Sequence, residues 1–267
     1  MNAGTASTPS LPFPSTVTMP SYPSRKHHAY AMRSCALSRP TPVLVNTART
    51  CGARFVVTAH TLDDQVETIL HRILRGTGLA GLAGIPRIRP LTEEVSLVRP
   101  LLAVSRVEVM AYLNRREQAY REDASNGDTA ITRNRIRHVL LPQLADDYNP
   151  SVDAALLRLG TLAAEAQAVL SDHARLLAEA CGASRQPSEI LLAAEPLQSA
   201  PEPVVRQLLK QLWSDNGWPL QAMSYEKWDQ LAKFACQVST DSALNLPGNV
   251  DVRVAEGRIR LARTVDA

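Results

Sequence analysis

Phe55-Val-Val-Thr-Ala-His60-Thr-Leu-Asp63-Asp64-Gln65-Val66-Glu67-Thr68 is the stretch on which the fold turns. Phe55 to Ala59 is a short, β-branched apolar run, which predicts a strand buried on both faces of a parallel sheet. Thr61 with Asp64 three residues later predicts a helix start, the hydroxyl as N-cap and the carboxylate near the positive end of the dipole. Leu62, Val66, Ile69, Leu70, Ile73 and Leu74 recur at helical spacing up to Gly76, which leaves Asp63, Asp64, Glu67 and His71 on or near the opposite face. A strand passing directly into a helix at the carboxyl edge of a sheet is where open α/β folds take their ligands.

An imidazole and three carboxylates within two turns, His60, Asp63, Asp64 and Glu67, suit binding of a divalent cation or an amine, and general acid/base work. The plainer alternative stays open at this point: the two aspartates stabilise a helix N-terminus, Glu67 is solvated and His60 only ends a strand.

Working outward, residues 1–42 are rich in Pro, Ser and Thr without an apolar period, which predicts disorder. Val43 to Cys51 predicts a short, poorly defined element before Gly52. Downstream, Gly76, Gly78, Gly81 and Gly84 predict a loop too glycine-rich for regular structure, with neither Walker A nor dinucleotide spacing. Ser105 and Glu108 form a second capping box, opening a helix to about Gln118. After the turn-rich Asp123 to Asp128, a helix carrying Arg133-Asn-Arg-Ile-Arg-His138 is expected to end near Pro142. Asn149-Pro150 predicts the next helix start, by N-cap and first-turn proline. From there to about Gln237 the pattern is helical, and Val250 to Val254 with Arg258 to Leu261 predicts a closing hairpin. The expected organisation is a disordered 1–42, an incomplete α/β parallel-sheet domain over 43–147, and a mainly helical 148–267 with a terminal β-hairpin.

Charge and composition narrow the partners. The net charge is only +3, but between Arg72 and Arg137 twelve arginines stand against seven carboxylates. Arginine forks onto phosphate and stacks on bases, which suits RNA, although an arginine-rich composition alone would produce the same excess. Cys35, Cys51, Cys181 and Cys236 are scattered, without a CxxC pair, and read as reduced and structurally incidental. With no bilayer-length apolar run and no signal-like apolar core, the chain reads as cytoplasmic.

Taken together, Ala59-His60-x-x-Asp63-Asp64-Gln65-x-Glu67-Thr68 resembles the second motif of the PP-loop ATP pyrophosphatases. Arg72-Ile-Leu-Arg75-Gly76-Thr-Gly78-Leu-x-Gly81-Leu resembles the tRNA(Ile)-lysidine synthetase branch of that superfamily. Arg99-Pro-Leu-Leu102, Asp123-x-Ser-Asn126, Arg133-Asn134-Arg135-x-Arg137-His138 and, weakly, Leu246-Pro-Gly248 follow in the family's order. The resemblance implies a ligase: ATP, with Mg2+, adenylates the wobble cytidine of tRNA(Ile) with a CAU anticodon, and L-lysine displaces AMP to form lysidine. It implies that His60, Asp64 and Glu67, with Asp63 a less certain member, line the lysine and nucleotide pocket. It further implies that Arg75, Arg99, Arg133, Asn134 and Arg137 face phosphates of ATP or tRNA. A homodimer is left open.

One departure stands out. The family's Ser-Gly-Gly-x-Asp-Ser loop, which cradles pyrophosphate, has no counterpart: the only glycines before His60 are Gly4 and Gly52. This predicts a truncated or frameshifted gene, a misplaced start or a remnant, and makes activity of this chain alone doubtful. Two other readings stand beside lysidine synthesis, a tRNA thiolation enzyme of the same superfamily and a non-catalytic RNA-binding remnant. The lack of paired cysteines argues against the first.

Overall fold

A computed structural model describes residues 42–120, 124–237 and 242–264 of the chain. The disorder expected for residues 1–42 therefore falls, but for Pro42, outside the described residues, as does Asp123 of the turn motif. The structure is built of ten α-helices and eight strands among those residues.

The segment before Gly52, expected to be ill-defined, is a helix, α1 (Pro42–Thr50), and buries Ala48. The strand β1 is Phe55–Val57. It pairs in parallel with β3 (Ser96–Val98), which pairs antiparallel with β2 (Ile88–Pro90), so the sheet is mixed, in the order β1-β3-β2. The expectation of burial on both faces does not hold. Phe55 and Val57 are 62% and 56% exposed, because they share a register with Ser96, Val98 and Ile88 on a face that no described helix covers.

The helix α2 (Leu62–Leu74) starts at Thr61, whose backbone N–H donates to Asp64 Oδ2 at 2.7 Å. Its buried side holds Val66, Ile69 and Leu70 but also Glu67, which the apolar period had set on the opposite face. The glycine-rich segment contains regular structure after all, one helical turn α3 (Leu79–Leu82). Two α2 side chains hold it. Arg72 Nη1 donates to the carbonyls of Gly81 and Gly84 at 2.8 and 2.6 Å, and Gln65 Oε1 accepts from Ile85 N at 2.6 Å. Gly84 sits at φ +72°, where a side chain is strained, and a Cβ there would come within 2.6 Å of the Gln65 amide and force it to shift.

After the 3₁₀ turn Pro100–Ala103, α4 (Arg106–Arg115) opens on the expected Ser105/Glu108 capping box. The arginine-bearing helix does not stop at Pro142. It runs as α5 (Thr132–Arg135), a π turn (Ile136–Leu140) and α6 (Leu141–Asp147), since the wide turn leaves Pro142 in the first turn of α6, where its missing N–H costs little.

The helix after Asn149 begins two residues later than expected, as α7 (Val152–Ala180), with Ser151 at its N-cap. It packs on α2 through Gly160, where an added Cβ would lie 2.7 Å from Ile69 Cδ1. The second unit is more sheet than the sequence indicates. Between α7 and α8 (Glu195–Ser199) come β4 (Ser184–Gln186) and β5 (Glu189–Ala193), and α9 (Glu202–Asp215) and α10 (Tyr225–Cys236) follow. β6 (Ala243–Leu246), β7 (Val250–Ala255) and β8 (Arg258–Arg263) complete a five-stranded antiparallel sheet, β4-β5-β8-β7-β6. The expected hairpin is β7–β8. Glu256 and Gly257, at φ 51° and 71°, make the two-residue turn whose twist matches its strands. Inward side chains of the sheet, Ile190, Leu192, Val252, Ile259 and Leu261, share a core with Leu208, Leu209, Trp213 and Leu231 of the helices. Burial raises the Cys181 thiol there to about 11, which keeps it a protonated packing group.

Candidate functional site

The carboxyl ends of β1 and β3 bring two helix starts together. Leu62 N donates to Val104 O at 2.9 Å, and Asp63 Oδ2 accepts from Arg106 N at 2.7 Å, so the first turn of α2 rests against that of α4. Asp63 is thus committed to a helix start 43 residues further along the chain.

Asp64 and Glu67, one turn apart on α2, meet Arg133 and Arg137, one turn apart across α5 and the π turn. Arg133 places Nη2 2.7 Å from Asp64 Oδ1 and Nε 2.9 Å from Glu67 Oε2. Arg137 places Nε 2.5 Å from Glu67 Oε1 and Nη2 3.5 Å from Asp64 Oδ1. Each guanidinium bridges both carboxylates, and Glu67 is only 1% exposed. Both arginines are expected from the sequence to face phosphates. Their forks are turned to carboxylate, with Arg133 39% exposed at its side chain.

His60 joins the same edge. Its Nδ1 lies 3.0 Å from Thr58 Oγ1. Burial holds its imidazole below the usual histidine range. Asp64 opposes that shift, and the charges of Arg99 and Arg133 add to it. Asn134 is buried and donates from Nδ2 to the Asp128 carbonyl at 2.9 Å, fixing the turn before α5. Arg99 is also buried and donates to Pro86 O at 2.7 Å, a contact that ties the sheet to the glycine-rich segment. Arg75 is not brought to the site. It is the C-cap of α2, three turns away from Asp64.

Beside the arginines lies a cavity of about 760 Å³. Asp63, Glu67, Arg106, Arg137, His138 and Asp153 are among its lining residues. Burial, then Asp63 and Glu67, hold the Asp153 carboxyl above its ordinary range. Carboxylates gathered along one cavity favour an incoming cation, and the guanidinium group of Arg106 in the same lining favours an anion. Sequence reasoning missed Asp153 and Arg106. Asp153 carries no signal beyond that of an acid in a first helical turn, and Arg106 none beyond the general arginine excess. Among the described residues no group of three His, Cys, Asp or Glu side chains gathers to hold a metal ion. No described helix is long and apolar enough to cross a membrane.

Residues 39–144, which hold the sheet whose strand ends deliver the Asp-Asp-Gln-x-Glu helix onto the Arg-Asn-Arg helix, match a family model described as a PP-loop domain. Over most of its length the chain is similar to tRNA(Ile)-lysidine synthases. It is 34% identical over 221 residues to that of Geobacter sulfurreducens, covering 82% of this chain and 45% of the relative. It is 45% identical over 137 residues to that of Bradyrhizobium diazoefficiens, covering 49% and 36%. The chain spans about half the length of the curated relatives it matches. Among solved structures, the U34-tRNA thiolase NcsA from Methanococcus maripaludis with its [4Fe-4S] cluster aligns at TM-score 0.36 and 17% identity, over 45% of this chain and 40% of that one, a likeness too slight to bear on function.

Proposed function

We propose that the chain carries the amine-handling side of a lysidine-forming active site, together with a tRNA-contacting unit behind it. In that reaction ATP adenylates the C2 oxygen of the wobble cytidine of tRNA(Ile) with a CAU anticodon, and pyrophosphate leaves. The side-chain amine of L-lysine then attacks C2, and AMP departs with the former carbonyl oxygen. A C–N bond replaces the C–O bond, and the amine loses its protons on the way.

The observation that carries this reading is the cavity between α2, α4 and α7, where Asp63, Glu67 and Asp153 stand beside Arg106 and Arg137. Carboxylates complement ammonium groups, and guanidinium complements the carboxylate of a free amino acid. In this reading Glu67, which lines the cavity, and Asp64, one turn before it on α2, orient the amine and take up its proton. The curated relatives, named for action on tRNA(Ile), support the substrate class.

The starts of α2 and α4 do not fit the triphosphate of ATP. Asp64 already caps the start of α2, and the Asp63 and Glu108 carboxylates occupy that of α4. Neither helix N-terminus at this edge is open to a phosphate. ATP activation is therefore assigned to neither of them.

The test joins the chain behind an upstream family segment containing the Ser-Gly-Gly-x-Asp-Ser loop and measures incorporation of labelled lysine into tRNA(Ile). Incorporation is expected, and Asp64→Asn should lower it by about a hundredfold or more while the protein stays folded. Lysidine formation by Asp64→Asn at the parental rate would confine Asp64 to a structural role. Tight tRNA binding without any incorporation would favour the reading as a non-catalytic RNA-binding protein.

A further inference from the structure

A second groove, of about 440 Å³, lies between α9 and the Gly78–Gly81 segment that follows the C-terminal end of α2, and shares no lining residue with the first. Lys210 of α9 and Trp228 of α10 form its floor, and Gln167 and Gln211 are among its walls. Leu79 and Leu220, 37% and 47% exposed, form apolar rims.

Lys210 is the unusual member. Its Nζ lies 5.6 Å from the centroid of the Trp228 ring, and among the described residues it has no carboxylate partner. Burial first, then Arg206, push its ammonium below the usual lysine range. Arg206 is itself taken up by Glu202 and Asp229, and Lys233 on the neighbouring helix by Asp229 at 2.7 Å. Surface lysines ordinarily pair or extend into water. Lys210 instead holds a half-desolvated charge at the bottom of a groove, an arrangement that an entering anion relieves.

The walls say which anion. Gln167 and Gln207 each turn their Nε2 to Ser171 Oγ, at 3.1 and 3.3 Å, which leaves their amide oxygens free to accept from a ligand. Amide acceptors beside apolar rims suit the edge and face of a nucleobase. We propose that this groove is a second RNA-contact site, with Lys210 receiving a backbone phosphate while the glutamine amides and leucine rims take the adjoining unstacked base. The exposed Arg75, at the same end of α2, would stand near the path of such a strand. The proposal rests on the reading of the chain as acting on tRNA.

The test measures binding of a fluorescent tRNA(Ile) transcript to the full chain across a salt series, for the parent, Lys210→Met, Lys210→Arg and Lys233→Met. Lys210→Met keeps the stem over Trp228 and removes the charge. It should weaken binding about fivefold or more and flatten the salt dependence by about one unit of slope. Lys210→Arg should restore most of both, and Lys233→Met should stay within about twofold of the parent. If Lys210→Met matched the parent in affinity and slope, the groove would be refuted while the parent's tRNA binding left the wider reading intact. A parent chain that binds no tRNA would remove the wider reading along with the groove. Competition by poly-glutamate as strong as that by unlabelled tRNA would assign the groove to acidic peptide and overturn the proposal.

Discussion

Glu67 and Arg137 lie 70 residues apart in the chain and 2.5 Å apart in space, Oε1 to Nε, with Glu67 almost wholly buried. With Arg133 and Asp64 they close a four-membered charge cluster that fixes α2 against α5 and the π turn. The cluster serves the fold and the proposed chemistry with the same atoms.

Glu67→Gln removes the charge that both guanidinium groups face. Breaking a buried pair from one side costs about 3–5 kcal/mol, but Arg133 and Arg137 keep 39% and 23% side-chain exposure and can partly rehydrate. The expected loss is about 2 kcal/mol, read from the denaturant midpoint. Arg175→Ala, which breaks an exposed pair with Glu179, should cost less than about 0.5 kcal/mol. Equal losses from the two would show that the buried cluster has no special role in stability.

His60 makes stability depend on pH in a definite direction. Its folded pKa lies below the ordinary 6.5, chiefly because burial disfavours the charged ring. Between the two values the unfolded chain binds the proton and the folded chain does not, so stability rises with pH. The contribution is complete above pH 6.5 and is lost as pH falls through the folded value. The denaturation midpoint should drop between pH 7 and 5.5, and His60→Gln should reduce that drop. A gap between parent and variant that stays constant over this range would argue against the assignment.

Calorimetry of the chain with ATP should show no measurable binding, because the helix starts at the strand ends already carry the carboxylates of Asp63, Asp64 and Glu108. A micromolar dissociation constant would mean that phosphates are held by groups other than these helix starts.

Trp213, fully buried, meets Trp218 and Trp228 edge to face at centroid distances of 5.0 and 5.4 Å. Trp213→Ala should destabilise the second unit by about 3–5 kcal/mol, through lost burial and the cavity left behind. Loss of near-ultraviolet circular dichroism at a lower denaturant concentration would record it. An unchanged transition would show that the helices repack without the ring.

The local sequence determined much of this molecule. The capping pairs Thr61/Asp64 and Ser105/Glu108, the apolar period of α2, the turn at Glu256-Gly257 and the order of the motifs are all short-range signals, because caps, periods and tight turns involve residues within a few positions of one another. Tertiary structure decided the rest. No periodicity could bury Glu67, since its burial depends on two guanidinium groups arriving from another helix. Asp153 became part of the cavity only when α7 packed on α2 through Gly160. The strands β4, β5 and β6 lacked a strong local pattern and exist by pairing with β8, β7 and each other. Strand identity and charge partnership are long-range properties, fixed by what the chain meets after it folds.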